Sequence, residues 1–146
     1  MAPRIRYHPA SVAVGQRAFY RSGRLTPGDR MALVYKICPR GLWREAEALG
    51  RFTGAPVDHA DGFIHFSTAE QVAETAARHF SGQDDLLLVA IEGDDLGSAL
   101  RFEPSRGGAL FPHLYGDLPL RAVRSVTDMP LGPEGRHVFP AEIPQA

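Results

Sequence analysis

The sequence predicts a single α+β domain with a mixed, split β-sheet and two main helices. The chain has 146 residues, which is enough for one hydrophobic core and too few for two ordinary domains. Short apolar runs typical of strands are interleaved with two stretches in which apolar residues recur at helical spacing. Fifteen glycines and twelve prolines indicate many short elements joined by tight turns.

The apolar patterns place the elements in chain order. Apolar residues at spacings of three and four define both helices, and an unbroken apolar run indicates that strand 85–91 is buried on both faces. Residues 51–61 are expected to form a connecting loop, and residues 110–120, with two prolines and a glycine among aromatic residues, an irregular segment. The predicted elements are strand 32–37, helix 39–50, strand 62–67, helix 68–80, strand 85–91, strand 100–103 and strand 120–129.

Charge is unevenly distributed along the chain. Residues 1–30 carry six arginines and one aspartate (6 − 1 = +5), whereas the other 116 residues carry ten basic and sixteen acidic side chains (10 − 16 = −6). We therefore divide the chain into a basic N-terminal extension (1–30), a folded domain (31–132) and a loosely held, proline-rich tail (133–146). If the protein contacts nucleic acid or another anionic surface, residues 4–30 are the expected contact; otherwise the extension is expected to fold back on its own domain or to stay mobile.

Several classes of protein are excluded by composition. No apolar run approaches the roughly 20 residues that a membrane span needs, so no membrane partner is expected. A single cysteine, Cys38, rules out an internal disulfide and favours a cytoplasmic protein. The six histidines show no metal-ligand spacing, so no metal site is predicted. The sequence also lacks the glycine-rich motifs of known phosphate-binding loops. The sequence does not indicate an oligomeric state.

The stretch "DGFIHFSTAEQ" (61–71) places polar side chains at the end of a predicted strand. Since strand side chains alternate, His65 and Ser67 share one face and the two apolar residues between and before them face the core. A helix cap is the favoured interpretation of Ser67, with Glu70 completing a capping box. His65 is either an ordinary surface histidine or a neighbour of an anion bound at the helix N-terminus.

A second polar cluster lies in "FPHLYG" (111–116), which contains His113 and Tyr115. It is either a proline-fixed turn at the edge of the core or the wall of a pocket, and we expect it to face the same cavity as His65. Glu103, at the end of a predicted strand, is either a solvated terminus or an acidic site residue. Lys36 lies in the first strand, where it is partly buried if that strand is central and otherwise reaches solvent at an edge.

The residues from about 33 to 131 resemble a small bacterial family of unknown function. The stretches that carry the resemblance are "VYKI", Trp43, "DGFIHFST", Gln71, "LRFE" and "FPHLYG". That family resembles the ADP-ribosyltransferase fold, nearest the RNA 2′-phosphotransferase branch, in which a split sheet binds NAD in a central cleft. In this chain Lys36 stands where that branch has histidine and Ile37 where it has glycine, and the phosphate-gripping arginines have no clear counterparts.

The resemblance implies a set of site residues. His65, Glu103 and Tyr115 are expected to be catalytic, and the residues expected to bind substrate are Tyr35, Lys36, Ser67, Gln71 and His113. The implied function is a transferase or hydrolase that uses NAD or ADP-ribose, with NAD as a substrate rather than a resident cofactor and a small-molecule nucleotide as partner. The alternatives are a non-catalytic module that binds a nucleotide or small anion, and a hydrolase that uses His65 and Ser67.

Overall fold

The structure, a computed structural model, describes residues 33–144, and strand β1 begins at the first of these residues. Within this range the helices are α1 (Arg40–Leu49), α2 (Pro56–Asp61) and α3 (Ala69–His79). The strands are β1 (Leu33–Pro39), β2 (Arg51–Phe52), β3 (Ile64–His65), β4 (Leu86–Glu92), β5 (Leu100–Pro104), β6 (Leu110–Leu114), β7 (Leu118–Pro119) and β8 (Val123–Asp128). Within the same range 3₁₀ turns lie at Gly93–Ala99, where Gly97 interrupts the helical backbone, and at Arg106–Gly108 and Leu120–Ala122.

The strands of residues 33–144 form three sheets, ordered β1-β4-β8, β2-β7 and β3-β6-β5. The two three-stranded sheets meet where Tyr35 of β1 exchanges two backbone hydrogen bonds with Ser67, at N···O distances of 2.8 and 2.9 Å. The α+β class and the split sheet agree with the sequence. The expected mixed sheet is wrong, because every ladder among the described residues is antiparallel. Strand direction depends on tertiary connections, which local apolar patterns do not encode.

The core lies on both faces of sheet β1-β4-β8. All seven residues of β4 are buried, as its continuous apolar run predicts. One face packs on α1 through Trp43 and on the inner side of sheet β3-β6-β5 through Ile64 and Phe66. The other face packs on α3 through Val72 and on the C-terminal segment through Ile143. Apolar side chains therefore pack on both faces of this sheet.

Residues 51–61, expected to be a loop, contain strand β2 and helix α2. Helix α2 begins with Pro56 and is followed by Gly62 in the left-handed region at φ 87°, so it carries ordinary start and stop signals in only six residues. The expectation failed because the helix is too short to show an apolar period.

Residues 110–120, expected to be irregular, contain β6, the central strand of its sheet. Pro112 is tolerated there because its C=O accepts from the Phe66 N–H at 2.9 Å, on the β3 side. In a strand the N and C=O of one residue point the same way, so the missing N–H faces the end of β3 and leaves the β5–β6 ladder intact.

The tail from residue 133 is not loosely held over its described length. Ile143 is 2% exposed, and His137 is buried with its Nε2 atom 2.7 Å from the backbone oxygen of Gln83. The basic extension 1–30 lies outside the described residues, and its proposed contact with nucleic acid stays a prediction. None of the helices between residues 33 and 144 has the length and apolarity to cross a membrane.

Candidate functional site

A cavity of about 530 Å³ lies between β1, α2, α3 and the end of β6, and we call it the histidine cavity. It joins the two polar clusters singled out by the sequence, since His65 and Ser67 share its wall with Phe111 and His113. Five of the eight predicted site residues line it: Tyr35, Lys36, His65, Ser67 and His113. Glu103 contacts His113 and Tyr115 contacts Glu103, both without belonging to that lining, and Gln71 lies at the start of α3.

Lys36 is buried and paired with Asp58. Its ammonium lies 2.9 Å from one carboxylate oxygen of Asp58 and 3.1 Å from the other, and it also donates to the backbone oxygen of His65 at 3.0 Å. Burial lowers the pKa of Lys36, and the Asp58 carboxylate acts in the opposite direction. The positive charge is therefore already compensated within the wall of the cavity.

Asp58 receives donors from three segments of the chain. Besides Lys36, the backbone N–H of Ala55 lies 2.7 Å from its carboxylate, the backbone N–H of His65 lies at 3.0 Å, and the His65 Nδ1 atom at 2.6 Å. Burial alone raises the pKa of Asp58, but these donors outweigh it and hold the pKa well below its usual range. An ionised Asp58 therefore joins β1, α2 and β3.

His65 is held between two carboxylates. Its Nδ1 atom contacts Asp58 and its Nε2 atom lies 2.8 Å from Asp61, whose side chain is half-exposed. Because ionised carboxylates only accept hydrogen bonds, both contacts are hydrogen bonds only when the ring carries both protons. His65 therefore has no free ring nitrogen in this arrangement, which favours a structural or electrostatic role over proton transfer.

His113 differs from His65 in having one free ring nitrogen. Its Nδ1 atom donates to Glu103 Oε1 at 2.7 Å, and the Tyr115 hydroxyl donates to the same oxygen at 2.8 Å. Both hydrogen bonds lower the pKa of Glu103, and the one from His113 has the larger effect. The Nε2 atom of His113 has no hydrogen-bond partner among residues 33–144, and the ring lines the cavity. This is the geometry of an imidazole oriented by a carboxylate for proton transfer.

The two imidazoles are brought together by strand register. His65 and His113 are direct cross-strand partners in the β3–β6 ladder, with ring centroids 5.6 Å apart. Phe63 stacks on His113 at a centroid distance of 4.0 Å and an interplanar angle of 22°, and it also touches His65 at 4.7 Å. The stacked phenyl ring therefore limits the freedom of both imidazoles.

The predicted helix cap is shifted by one residue. The N-cap of α3 is Thr68, whose backbone N–H donates to Gln71 Oε1 at 3.0 Å, while Gln71 Nε2 donates to the Leu110 oxygen at 2.8 Å. Ser67 instead lies 2.9 Å from the hydroxyl of Thr75 on α3. The Ser67 hydroxyl therefore lacks the bond to His65 that a serine hydrolase needs, which argues against the predicted hydrolase. Substrate binding by Gln71 stays a prediction, with its side-chain amide already engaged.

Sequence reasoning missed Asp58 and Phe63. A lysine in a continuous apolar strand requires a buried counter-charge, which pointed to an acidic residue elsewhere in the chain. The stretch "PVDHAD" (56–61) contains such a residue, Asp58, and its proline indicates the start of a short helix. Strand alternation places Phe63 on the face of His65, but its stacking on His113 depends on the β3–β6 register, which the sequence does not give. Burial raises the pKa of Cys38 to about 12, so this thiol offers no thiolate for catalysis. Residues 33–144 hold no histidine, cysteine and carboxylate cluster suited to a metal ion.

Comparison with known proteins gives a family and a fold. Residues 37–126 match the family described as "Protein of unknown function (DUF952)". The crystal structure of protein CC0527 from Caulobacter crescentus is 48% identical, with a TM-score of 0.73, and the match covers 76% of this chain and 97% of that one. The solution NMR structure of the same protein is 51% identical, with a TM-score of 0.67, and covers 73% and 91%. A search of curated proteins found no match.

The family profile spans more than half of this chain, and the matched structures cover about three quarters of it. Neither the family description nor these structures name an ADP-ribosyltransferase, so that relationship stays a prediction. The chain belongs to the DUF952 family, a family of unknown function.

Proposed function

We propose that the histidine cavity binds a nucleotide of the NAD or ADP-ribose type and that the His113–Glu103 pair acts on it as an acid–base pair. The protein is then a transferase or hydrolase of such a ligand. The observation that carries this proposal is the unpartnered Nε2 atom of a buried histidine that lines a cavity and is oriented from behind by a carboxylate. Titratable groups held in a fixed orientation within a concave site are typical of catalysis.

The proposed chemistry needs only one proton acceptor from the protein. Because the Nδ1–H of His113 donates to Glu103, the neutral ring keeps that proton and presents its Nε2 lone pair to the cavity. That nitrogen accepts the proton of water or of an acceptor hydroxyl as its oxygen bonds to the ribose C1 atom. The bond from C1 to the leaving base breaks, and the base departs with the bonding electrons. Glu103 stabilises the resulting imidazolium, so it acts through His113 rather than on the ribose.

The rest of the lining suits a ligand with a flat ring and a polar end. Phe111 and Phe80 give the cavity aromatic walls, while His65 and the Ser67–Thr75 hydroxyl pair provide polar groups. Aromatic walls with a few placed polar groups are the usual composition of a small-molecule site. These features support binding of a nucleoside portion with its base against the aromatic side chains.

Binding and turnover should be measured together on the full chain. Calorimetry with NAD and with ADP-ribose measures affinity, and release of nicotinamide or free base measures turnover. We expect His113→Gln and Glu103→Gln to lower turnover by roughly 10²–10⁴-fold, the usual contribution of a general base, with affinity changed much less. His59→Gln is the matched control, because His59 is exposed and lines a separate, smaller hollow.

The proposal fails if millimolar NAD and ADP-ribose produce neither heat nor product with the wild-type protein. It also fails if His113→Gln and His59→Gln behave alike. Thermal melting of each variant separates loss of chemistry from loss of folding, which matters because His113 is buried.

A second candidate function is a non-catalytic module that binds a small anion. The contact between His65 Nε2 and the half-exposed Asp61 favours it, because an anionic ligand can take the place of that carboxylate without disturbing Asp58. This module predicts that a nucleotide or inorganic phosphate raises the melting temperature without being consumed, and that Asp61→Asn strengthens the binding. Consumption of the ligand would exclude it.

A further inference from the structure

Strand β5 is the outer strand of sheet β3-β6-β5, and no other strand of residues 33–144 pairs with its outer edge. The direction in which the backbone N–H and C=O groups of β5 point follows from its pairing with β6. The C=O of Pro112 faces β3, so the hydrogen-bonded pairs between β6 and β5 are those one residue to either side of the Phe102–Pro112 pair. The backbone N–H and C=O of Phe102 therefore point away from β6, toward the open edge.

The open edge is also apolar. Phe102 is 46% exposed on one face of β5, and its neighbour on that face, Pro104, pairs with Leu110, which is 52% exposed. An exposed edge strand with free backbone groups and an exposed aromatic residue is a template for pairing with another strand. The question is which strand it pairs with.

The sequence of β5 is complementary to itself. "LRFEP" (100–104) reads apolar, charged, aromatic, charged, apolar from either end, with the two charges of opposite sign. A two-fold axis through Phe102 therefore places Arg101 of one copy directly opposite Glu103 of the other, as in favourable cross-strand pairs. The charge pattern and the outward backbone of Phe102 select the same axis independently.

Both charged groups have unused capacity. Glu103 accepts from His113 and Tyr115 through Oε1 alone, and Oε2 has no partner among the described residues. The guanidinium of Arg101 lies over the ring of Tyr115 at 4.7 Å and has no acceptor in that part of the chain. Each copy thus offers one free carboxylate oxygen and one free set of donors at matching register positions.

We propose that two copies of this chain form a dimer by antiparallel pairing of β5 with β5 about a two-fold axis at Phe102. The two Phe102 residues exchange two backbone hydrogen bonds, their side chains lie side by side, and Arg101 and Glu103 pair twice. The ladder is short, because the Leu100 N–H already donates to the Gly97 oxygen and Pro104 has no N–H. The interface lies at the small end of specific interfaces, so the dimer is concentration-dependent.

A register centred on Arg101 is excluded by the same geometry. It sets two arginines opposite each other, and the backbone groups of Arg101 already face β6. In the Phe102-centred dimer, Arg101 of the second copy reaches the Oε2 atom of Glu103, the carboxylate that holds His113. The interface therefore contacts the back of the histidine cavity, although the dimer does not depend on the proposed function.

The molar mass in solution tests the dimer. Sedimentation velocity or light scattering on the full chain, from low to high micromolar protein, should show the mass rising toward twice the monomer value. Phe102→Lys should keep the protein monomeric over the same range, because it places two ammonium groups at the axis. Val138→Lys is the matched control, since Val138 is also about half exposed but lies in the C-terminal segment.

A charge swap tests the register. Arg101→Glu alone should abolish dimerisation by facing two carboxylates, and Arg101→Glu combined with Glu103→Arg should restore it. A wild-type protein that stays monomeric at every concentration overturns the proposal, including the case in which residues 1–32 cover the edge. Dimers that survive Phe102→Lys, or that the double swap fails to restore, overturn it as well. If Phe102→Lys does not fold, the exposed Arg101 variants decide the outcome.

Discussion

Sheets β1-β4-β8 and β3-β6-β5 have the same number of strands but differ in what holds their side chains. In β4 every side chain is buried, and its apolar residues contact apolar groups on both faces, while Glu92 at its end pairs with Arg124. In β3-β6-β5 one face is apolar, while the other carries His65, His113 and Glu103, each fixed by hydrogen bonds to a neighbour. Packing stabilises the first sheet, and polar contacts orient the reactive groups of the second. The comparison predicts that mutations in the two sheets have separable effects on stability and on the site.

The two sheets are coupled by one buried ion pair. Lys36 belongs to β1, and its partner Asp58 also accepts from the backbone and ring of His65 on β3. An isolated ionised group in this position would be costly, and the arrangement is favourable only because all donors and acceptors are matched. Substitutions in this pair should therefore affect both sheets at once.

The largest expected effect is therefore that of Asp58→Ala. Removing the carboxylate leaves the Lys36 ammonium, two backbone N–H groups and the His65 ring without their acceptor, and we expect a loss of about 3–5 kcal/mol of stability. The free energy of unfolding from urea titration measures it. Asp61→Ala is the control: its half-exposed carboxylate also contacts His65, and its removal should cost no more than about 1 kcal/mol. Equal losses of unfolding free energy in the two variants would contradict the conclusion that Asp58 connects the two sheets.

The same pair sets a pH dependence. The pKa of Asp58 in the folded protein lies below its ordinary value of 3.8, so its contribution to stability is present above that value. The contribution is lost progressively as the pH falls below 3.8 toward the folded pKa. Acid titration of the unfolding free energy should be steeper in the wild type than in Asp58→Asn, provided that this variant folds.

The third prediction compares a substitution in β4 with one at the residue directly before β3. Ile91→Val removes a methylene from β4 and should cost about 0.5–1.5 kcal/mol. Phe63→Leu removes the ring stacked on His113 and should cost a comparable amount through the lost aromatic contact. Only Phe63→Leu should change the His113 ring resonances in NMR spectra and the affinity of any ligand of the cavity. If Ile91→Val changes them equally, packing and site geometry are not separable.

The sequence predicts the first sheet better than the second for a physical reason. Buried apolar runs such as strand 85–91 and the apolar stripe of helix 68–80 are local signals, so the elements that contain them lie close to their predicted positions. Strand β6 was predicted to be irregular because Pro112 is unfavourable in a central strand, and only the partner on the β3 side makes it acceptable. Local patterns do not carry that information.

The candidate site shows the same limit. Residue type and strand alternation predict a shared face for His65 and Ser67, and the cavity that these residues line also contains His113, from a segment predicted to be irregular. These sequence signals could not assign roles, because roles depend on partners distant in sequence: Asp58 and Asp61 occupy both nitrogens of His65, whereas Glu103 leaves one nitrogen of His113 free. A histidine predicted to bind thus becomes the better candidate for proton transfer.

The smallest expected effect concerns the carboxylate behind His113. Tyr115→Phe removes one of the two hydrogen bonds that lower the pKa of Glu103, so this pKa should rise toward its ordinary value of 4.5 while the bond from His113 keeps it below that value. Carboxyl ¹³C NMR titration measures the shift. With a higher folded pKa, the stabilisation that ionised Glu103 provides above pH 4.5 diminishes, so less is lost on acidification.

Tyr35→Phe is the matched control for this titration, since Tyr35 lies in β1 and makes no contact with Glu103. Removal of the Tyr35 hydroxyl should leave the pKa of Glu103 where it is in the wild type. An unchanged titration of Glu103 in Tyr115→Phe would mean that the tyrosine does not hold the carboxylate. His113 would then be its sole hydrogen-bond partner among the described residues, and one hydrogen bond rather than two would hold the Glu103 carboxylate behind the imidazole.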